Sequence, residues 1–533
     1  MPDAPKRSLS GAMAVAAGIL LSRVAGFMRT RVMAHYLGQK GAAGAFYAAL
    51  RIPNMLQNLF GEGVLSASFI PVYSRLRAEG HHDDANRVAR AVGTLLTLVA
   101  STIAAIGVIG ARPLVDLLAG GFDAEYRELT ITLVRIIFPG VALLVLSAWC
   151  LGVLNSHRKF FLSYVSPVLW NAAMIATLFV AARRYAGDKE TMVVWLAWGT
   201  VIGAAAQFLI QLPTVIAILR SLRPSLAIDD PGVRSTLRAF VPVLLGRGSV
   251  QLSGFIDQAL ASYFGPAIVA AMGNSQIIYL LPVSLFGMAV SAAELPEMSS
   301  ATGDANARAK AVQDRLRNAL RRVVFLVVPS AVAFAMIGQP IVALLFQGGQ
   351  FTADDSHVAW IILAGSALGL SAGTQGRLLN SAFYAMNDQR TPLYAALVRV
   401  AITGVAGVLL TFPLRTAFGY SEVWGAFGLT ASAGFAAWVE FLLLRHWLAK
   451  KIGAVPIPTK LGLGALAVAV IAGAAAYATN WFAGNYTARV WPRSIAAIAV
   501  FGIVYLGIMS VARVPEASAF TGRITRRFRR KPQ

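Results

Sequence analysis

The chain has 533 residues, 57% of them hydrophobic and only 13% charged, with a formal net charge of +23. That little charge cannot cover a water-soluble domain of this length, and apolar runs of about 20 residues, long enough to cross a bilayer, recur from end to end. The runs are continuous rather than alternating, which argues against a transmembrane β-barrel and for an all-α polytopic membrane protein.

The first segment, "MPDAPKRSLSGAMAVAAGILLS", has the basic start and apolar core of a signal peptide. No small-residue cleavage site follows the core and Arg23 continues the same helix, so an uncleaved first span is expected. Further along, apolar runs and their breaks give about fourteen transmembrane helices, near 9–35, 43–73, 88–110, 127–155, 160–182, 191–219, 233–264, 268–298, 316–345, 356–385, 392–412, 421–446, 461–482 and 493–512. Pro53, Pro139, Pro242, Pro282 and Pro329 fall inside these runs and predict kinks or breaks. Cys150, the single cysteine, sits in "LLVLSAWCLGVL" and is read as a buried, inert thiol. One cysteine makes no intrachain disulfide.

Sorting the connections by alternation puts Arg75, Arg77, Arg87, Arg158, Arg220, Arg223, Arg315, Arg321, Lys450 and Lys451 on one side, with the terminus "GRITRRFRRK". The other side holds "GGFDAEYRE" and "QGGQFTADDSH". Roughly thirty basic residues against about nine is a strong positive-inside signal, placing both termini in the cytoplasm and calling for an even number of spans. The positive balance therefore reads as contact with anionic membrane lipids, with no nucleic acid partner.

The first and seventh spans look alike. "GFMRTRVMAHYLG" at 26–38 echoes "GFIDQALASYFG" at 254–265. Downstream, "RIPNMLQNLFGEGVLSASFIPVYS" echoes "YLLPVSLFGMAVSAAELPEMS", with four residues fewer between its prolines, about one helical turn. Copies in the first and seventh spans run in the same direction, so the pattern is two six-helix lobes in a parallel pseudo-two-fold repeat, followed by two C-terminal helices. The boundaries expected are 1–222 for the N-terminal lobe, 223–452 for the C-terminal lobe and 453–533 for the final pair and basic tail.

Charges inside the spans carry the functional reading. A charged side chain at the bilayer centre costs about 3 kcal/mol on insertion scales. The first helix nevertheless holds Arg23, about 20 Å from a start near Ser10, and then Arg29 and Arg31. Arg23, Gly26 and Arg29 share a broad face by their i, i+3, i+6 spacing, while Arg31 points elsewhere and snorkels. Later spans add Arg51, Glu62, Arg135, Arg247, Asp257, Glu294, Arg377 and Arg399, with Glu440 between later apolar runs. Pairing of Arg51 with Glu62, or of Arg247 with Asp257, is the plain reading of any one of these. Together, the excess of arginine suggests a water-filled cationic cavity between the halves, suited to a phosphate-bearing substrate that guanidinium binds in a bidentate fork. Neither a P-loop, nor an HExxH metal motif, nor a GxSxG elbow occurs, and His81–His82 lie among acids in a loop. The pattern is that of a secondary transporter without cofactor, not of an enzyme.

"SRVAGFMRTRVMAHYLG", "FYAALRIPNMLQNLFGEGVLSASFIPVYS", "LFQGGQFTADD" and "FYAMNDQRTPLYAA" resemble the MurJ (MviN) lipid II flippases, within the superfamily that also holds multidrug exporters. The resemblance spans nearly the whole chain. It implies fourteen helices, two lobes around a cationic cavity, and a last helix pair that makes a groove for a prenyl tail. The substrate it implies is lipid II, an undecaprenyl-pyrophosphate disaccharide-peptide, moved from the inner to the outer leaflet of the bacterial cytoplasmic membrane. Arg23 and Arg29 match the two family arginines of the first helix, and the resemblance implies that they bind diphosphate or headgroup.

Other positions depart from the family pattern. Thr30 and Gly44 replace acids, Gln57 replaces the arginine after the P-N-x-L frame, and the eighth-helix arginine falls near Gln276 or Ile277. Arg51, Arg135, Arg247 and Arg377 are the candidates to compensate, and Asp257 is the candidate coupling carboxylate for alternating access driven by the membrane potential or by a Na+ or H+ gradient. Three alternatives stay open: a flippase for another polyprenyl-pyrophosphate glycan, a multidrug exporter, whose cavity would favour acids over arginines, and a non-transporting cell-wall scaffold.

Overall fold

The computed structural model describes residues 6–518 apart from 61, 222, 289, 292, 293, 295, 296, 299–304, 387 and 488; for 6–16, 62, 245–250, 252, 305 and 308 it describes the backbone alone. The described chain is helical, with one isolated bridge between Gly348 and Phe351 in a turn. Eleven helices among the described residues are long and apolar enough to cross a membrane. The other three expected spans, the first, second and seventh, fall on helices that are not among those eleven.

Two compact units divide the chain, Met1–Ala270 and Ala271–Gln533. In the first, α1 (Lys6–Leu37) ends at Gly38, whose φ of 69° lets the chain turn into α2 (Gly41–Phe60). The expected second span falls on α2 and on α3 (Glu62–Ala78), on either side of residue 61. Then come α4 (His82–Ile109), the short α5 (Ala111–Leu118), α6 (Ala124–Ser156), α7 (Phe160–Arg184), α8 (Lys189–Leu219) and α9 (Pro231–Ser262). Asp230 caps α9 by accepting from the Gly232 and Val233 amides, with Pro231 in the first turn, where its missing N–H costs nothing.

α6 packs against α2, α3, α4 and α8, α7 lies between α1 and α8, and α9 leans on α2 and α3. The core between α3, α4 and α6 holds Phe69, Tyr73, Val92, Trp149 and the buried thiol of Cys150, as expected for an inert cysteine. Trp149 satisfies its buried indole N–H on the Ala89 carbonyl at 3.0 Å.

α10 (Pro266–Pro282) carries the chain from the first unit into the second and continues as a π-helical turn, Val283–Met288. The second unit then contains α11 (Ala305–Phe346), α12 (Ala353–Ala385), α13 (Arg390–Thr411), the short α14 (Pro413–Phe418), α15 (Glu422–Ile452), α16 (Thr459–Tyr486) and α17 (Val490–Val511). Thr352 and Asp355 form a reciprocal capping box at the start of α12. α12 packs on α11 and α15. Gly369 and Gly434 let the α12 and α15 backbones approach so closely that neither position has room for a Cβ. α16 and α17 pack on α11 through a cluster that includes Phe325, Ile337, Ala469, Phe501 and Tyr505.

Pro282 ends α10 where the π-helical turn begins, at one of the expected irregular points. Pro53, Pro139, Pro242 and Pro329 all lie inside continuous helices. The non-helical residue of α11 is Ile337, at φ −124° and ψ 21°, in the turn before Pro340. There the proline ring meets the preceding turn and removes its hydrogen bond.

Candidate functional site

Two groups of membrane-embedded charges form, one in each unit. In the first unit, α1 and α2 bring Arg29 beside Tyr47, and α7 supplies Trp170, Asn171 and Met174. The Arg29 guanidinium carbon lies 5.1 Å from the Trp170 ring centroid, within cation–π range. Its Nη1 points at the Met174 sulfur, 4.0 Å away. The Nε is enclosed and has no hydrogen-bond partner. Among the described residues no carboxylate pairs with Arg29, so its charge is met only by the indole face, the thioether and the nearby phenol. Trp170, Asn171 and Met174 escaped the sequence reading because nothing in a run of apolar residues marks which one faces an arginine 145 positions away.

The common face of Arg23, Gly26 and Arg29 holds only in part. Gly26 and Arg29 both meet α7, Gly26 beside the Asn171 side chain, where a Cβ would lie 3.9 Å from Oδ1. Arg23 is exposed, as are Arg31 and, on α6, Arg135. Arg23 and Arg135 have no ion-pair partner among the described residues.

Arg51 is half-buried on α2 and lies against Gly254 of α9, where a Cβ would fall onto the guanidinium. One turn further along α9, Asp257 interacts electrostatically with Arg51. The Arg51 charge therefore meets Asp257, and the Glu62 side chain considered from sequence lies outside the described residues. The Arg247 side chain does too, and with it the pairing of Arg247 with Asp257. Arg247 itself occupies the middle of the α9 backbone.

In the second unit, Arg399 on α13 donates from Nη1 to Glu440 on α15 at 3.0 Å. Glu440 lies inside a continuous helix, not between runs, and is 8% exposed. Tyr279 on α10 interacts electrostatically with both Arg399 and Arg377. Arg377 itself is exposed on α12. Glu294 lies 3.7 Å from Arg315 and 4.0 Å from Arg322, which makes it a structural partner of the basic start of α11.

The family departures have local reasons. A Cβ at Gly44 would overlap the Pro266 carbonyl, so α2 and the start of α10 meet backbone to backbone where an acid would otherwise project. Thr30 is buried and returns its hydroxyl to the Gly26 carbonyl at 3.2 Å. Gln57 and Ile277 are half-buried, and Gln276 is exposed. Among the described residues no cluster of histidine, cysteine and carboxylates is arranged to hold a metal.

Comparison with known proteins places this geometry in context. The family model described as "Lipid II flippase MurJ" matches residues 33–497. A Burkholderia cenocepacia protein named "Lipid II flippase MurJ" is 33% identical over 438 residues, covering 81% of this chain and 82% of that protein. A Vibrio cholerae protein named "Probable lipid II flippase MurJ" is 30% identical over 522 residues, covering 95% of each. Among solved structures, a lipid II flippase MurJ in an inward closed conformation superposes with a TM-score of 0.76 at 20% identity, over 96% of this chain and 100% of that one. An inward-facing multidrug resistance MATE transporter of the MOP superfamily gives 0.64 at 18% identity, over 82% and 98%. At these identities the structural matches speak to the fold alone.

Proposed function

The chain belongs to the lipid II flippase MurJ family, and from that premise we propose that it moves lipid II from the inner to the outer leaflet of the bacterial cytoplasmic membrane by alternating access. The observation that carries this reading is the state of Arg29. An arginine enclosed among helices with no carboxylate partner among the described residues is an uncompensated charge there, costing several kcal/mol unless something neutralises it. A diphosphate supplies that neutralisation and accepts the open N–H donors in a bidentate fork. Arg23, exposed and without an ion-pair partner among the described residues, is the second diphosphate or headgroup contact, with Arg51, Arg247 and Arg377 as further candidates.

Asp257 is the candidate for coupling to Na+, H+ or the membrane potential, since its charge is already shared with Arg51 and an arriving cation would compete for it. In this reading both termini and the basic tail are cytoplasmic and face anionic lipids, and the chain transports without catalysing a covalent step.

The test is complementation in cells depleted of their own lipid II flippase, using the wild-type chain, Arg23→Ala and Arg29→Ala at verified expression. Rescue by wild type and failure of Arg29→Ala are expected. A well-inserted wild type that does not rescue would overturn lipid II as the substrate. Gln57 and Ile277, where the family carries arginines, favour one second reading in that event: another polyprenyl-pyrophosphate glycan.

A further inference from the structure

We infer that Trp170 is the positioning residue for Arg29, presenting its guanidinium to a diphosphate; the inference rests on the reading of Arg29 given above. Trp170 is fixed independently of Arg29. Its Nε1–H donates to the Thr200 carbonyl of α8 at 3.1 Å. Gly203, one turn on, lies so near that a Cβ there would sit 2.7–2.9 Å from the Trp170 backbone and ring. Anchored to α8 on one side, the indole offers its π face to Arg29 of α1 on the other, at 5.1 Å.

The chemistry of that partner matters. A carboxylate in the same place would neutralise Arg29 and also occupy its N–H donors, leaving little for a ligand. A π face attracts the cation through its quadrupole and accepts none of the in-plane N–H groups. Trp170 thus holds the arginine in one orientation while its hydrogen-bonding capacity stays unspent, which agrees with the unpartnered Nε. Met174, one turn along α7, gives Nη1 a weak sulfur acceptor that a phosphate oxygen outcompetes.

The full-length protein in lipid nanodiscs, titrated with undecaprenyl diphosphate and read by native mass spectrometry, tests this. Trp170→Leu and Trp170→Met remove the π face and keep apolar bulk, and each is expected to weaken binding roughly 5- to 30-fold. Trp170→Phe keeps a face, loses the bond to Thr200, and is expected to stay within about threefold of wild type. In an Arg29→Ala background, Trp170→Met is expected to have no further effect, because its influence passes through the arginine. If Trp170→Met weakens binding equally in both backgrounds, or Trp170→Phe fails as badly as Trp170→Met, the positioning role is overturned while Arg29 keeps its own. If Arg29→Ala binds like wild type, the reading of Arg29 falls, and this inference with it.

Discussion

Glu440 accepts from Arg399 at 3.0 Å across the α13–α15 interface, and the carboxylate is the more deeply buried of the two. Removing Arg399 leaves that carboxylate enclosed without its partner. Discounted for the partial exposure of the arginine, Arg399→Ala is expected to destabilise by about 1–3 kcal/mol. Glu440→Gln is expected to be milder, and the Arg399→Gln, Glu440→Gln pair milder than the sum of its singles. Thermal unfolding in detergent, run as a double-mutant cycle, checks it; additive losses would mean that the two side chains are not coupled.

Gly44 and Gly254 make opposite predictions, although both positions abut another helix. At Gly44 the obstacle is the Pro266 backbone, which cannot step aside, so Gly44→Ala is expected to cost roughly 1–3 kcal/mol. At Gly254 the obstacle is the end of the Arg51 side chain, which swings away. Gly254→Ala is therefore expected to keep its unfolding temperature and to change transport instead. Melting curves beside a complementation assay separate the two. Equal melting losses would remove the distinction.

His157 gives a pH dependence with a definite sign. The Tyr73 hydroxyl lies 2.9 Å from its Nε2, and burial, then Arg77, Lys159 and His82, push its pKa down from 6.5 to about 4. Between these values the unfolded chain binds a proton that the folded chain refuses, so stability rises with pH across the window. It is complete above about pH 6.5 and is lost as pH falls toward 4. Melting temperature measured from pH 7 to 4 should therefore fall more steeply for wild type than for His157→Asn. Parallel curves would show that another group governs the acid limb.

Arg321 grips Glu516 through both Nε and Nη2, at 2.7 and 3.2 Å, and Tyr505 donates to the Phe325 carbonyl at 2.7 Å. These bonds fasten Tyr505 within α17, and Glu516 just beyond it, to α11. Glu516→Gln is expected to raise amide exchange at the end of α17, with Tyr505→Phe adding to it, while α12 and α15 stay protected. Hydrogen exchange by mass spectrometry reads this directly, and uniform loss of protection across α11 to α17 would contradict a local clasp.

Hydropathy made most helices legible because the bilayer demands them: the expected spans 160–182, 191–219 and 461–482 sit within Phe160–Arg184, Lys189–Leu219 and Thr459–Tyr486. α5 and α14 were missed because each is shorter than any span and leaves no apolar run of its own. Arg29 was visible as an anomaly, a charge where charge is costly. Its surroundings were not, because Trp170 and Met174 are ordinary members of an apolar helix until tertiary packing places them. Asp257 shows the same limit, since nothing in the sequence marks that the fold brings it Arg51 from α2.

The π-helical turn at Val283–Met288 bears on how the chain can change length. A π turn takes in more residues than an α turn. Deleting one residue from Val283–Met288 lets the backbone relax to ordinary α geometry, with the surplus absorbed where it was held. Deleting one from the interior of α6 or α12 turns every later side chain on that helix by about 100° and presents the wrong face to its neighbours. Single-codon deletions should therefore survive at this turn and fail in those helices, so the register that α6 and α12 hold rigidly has slack here.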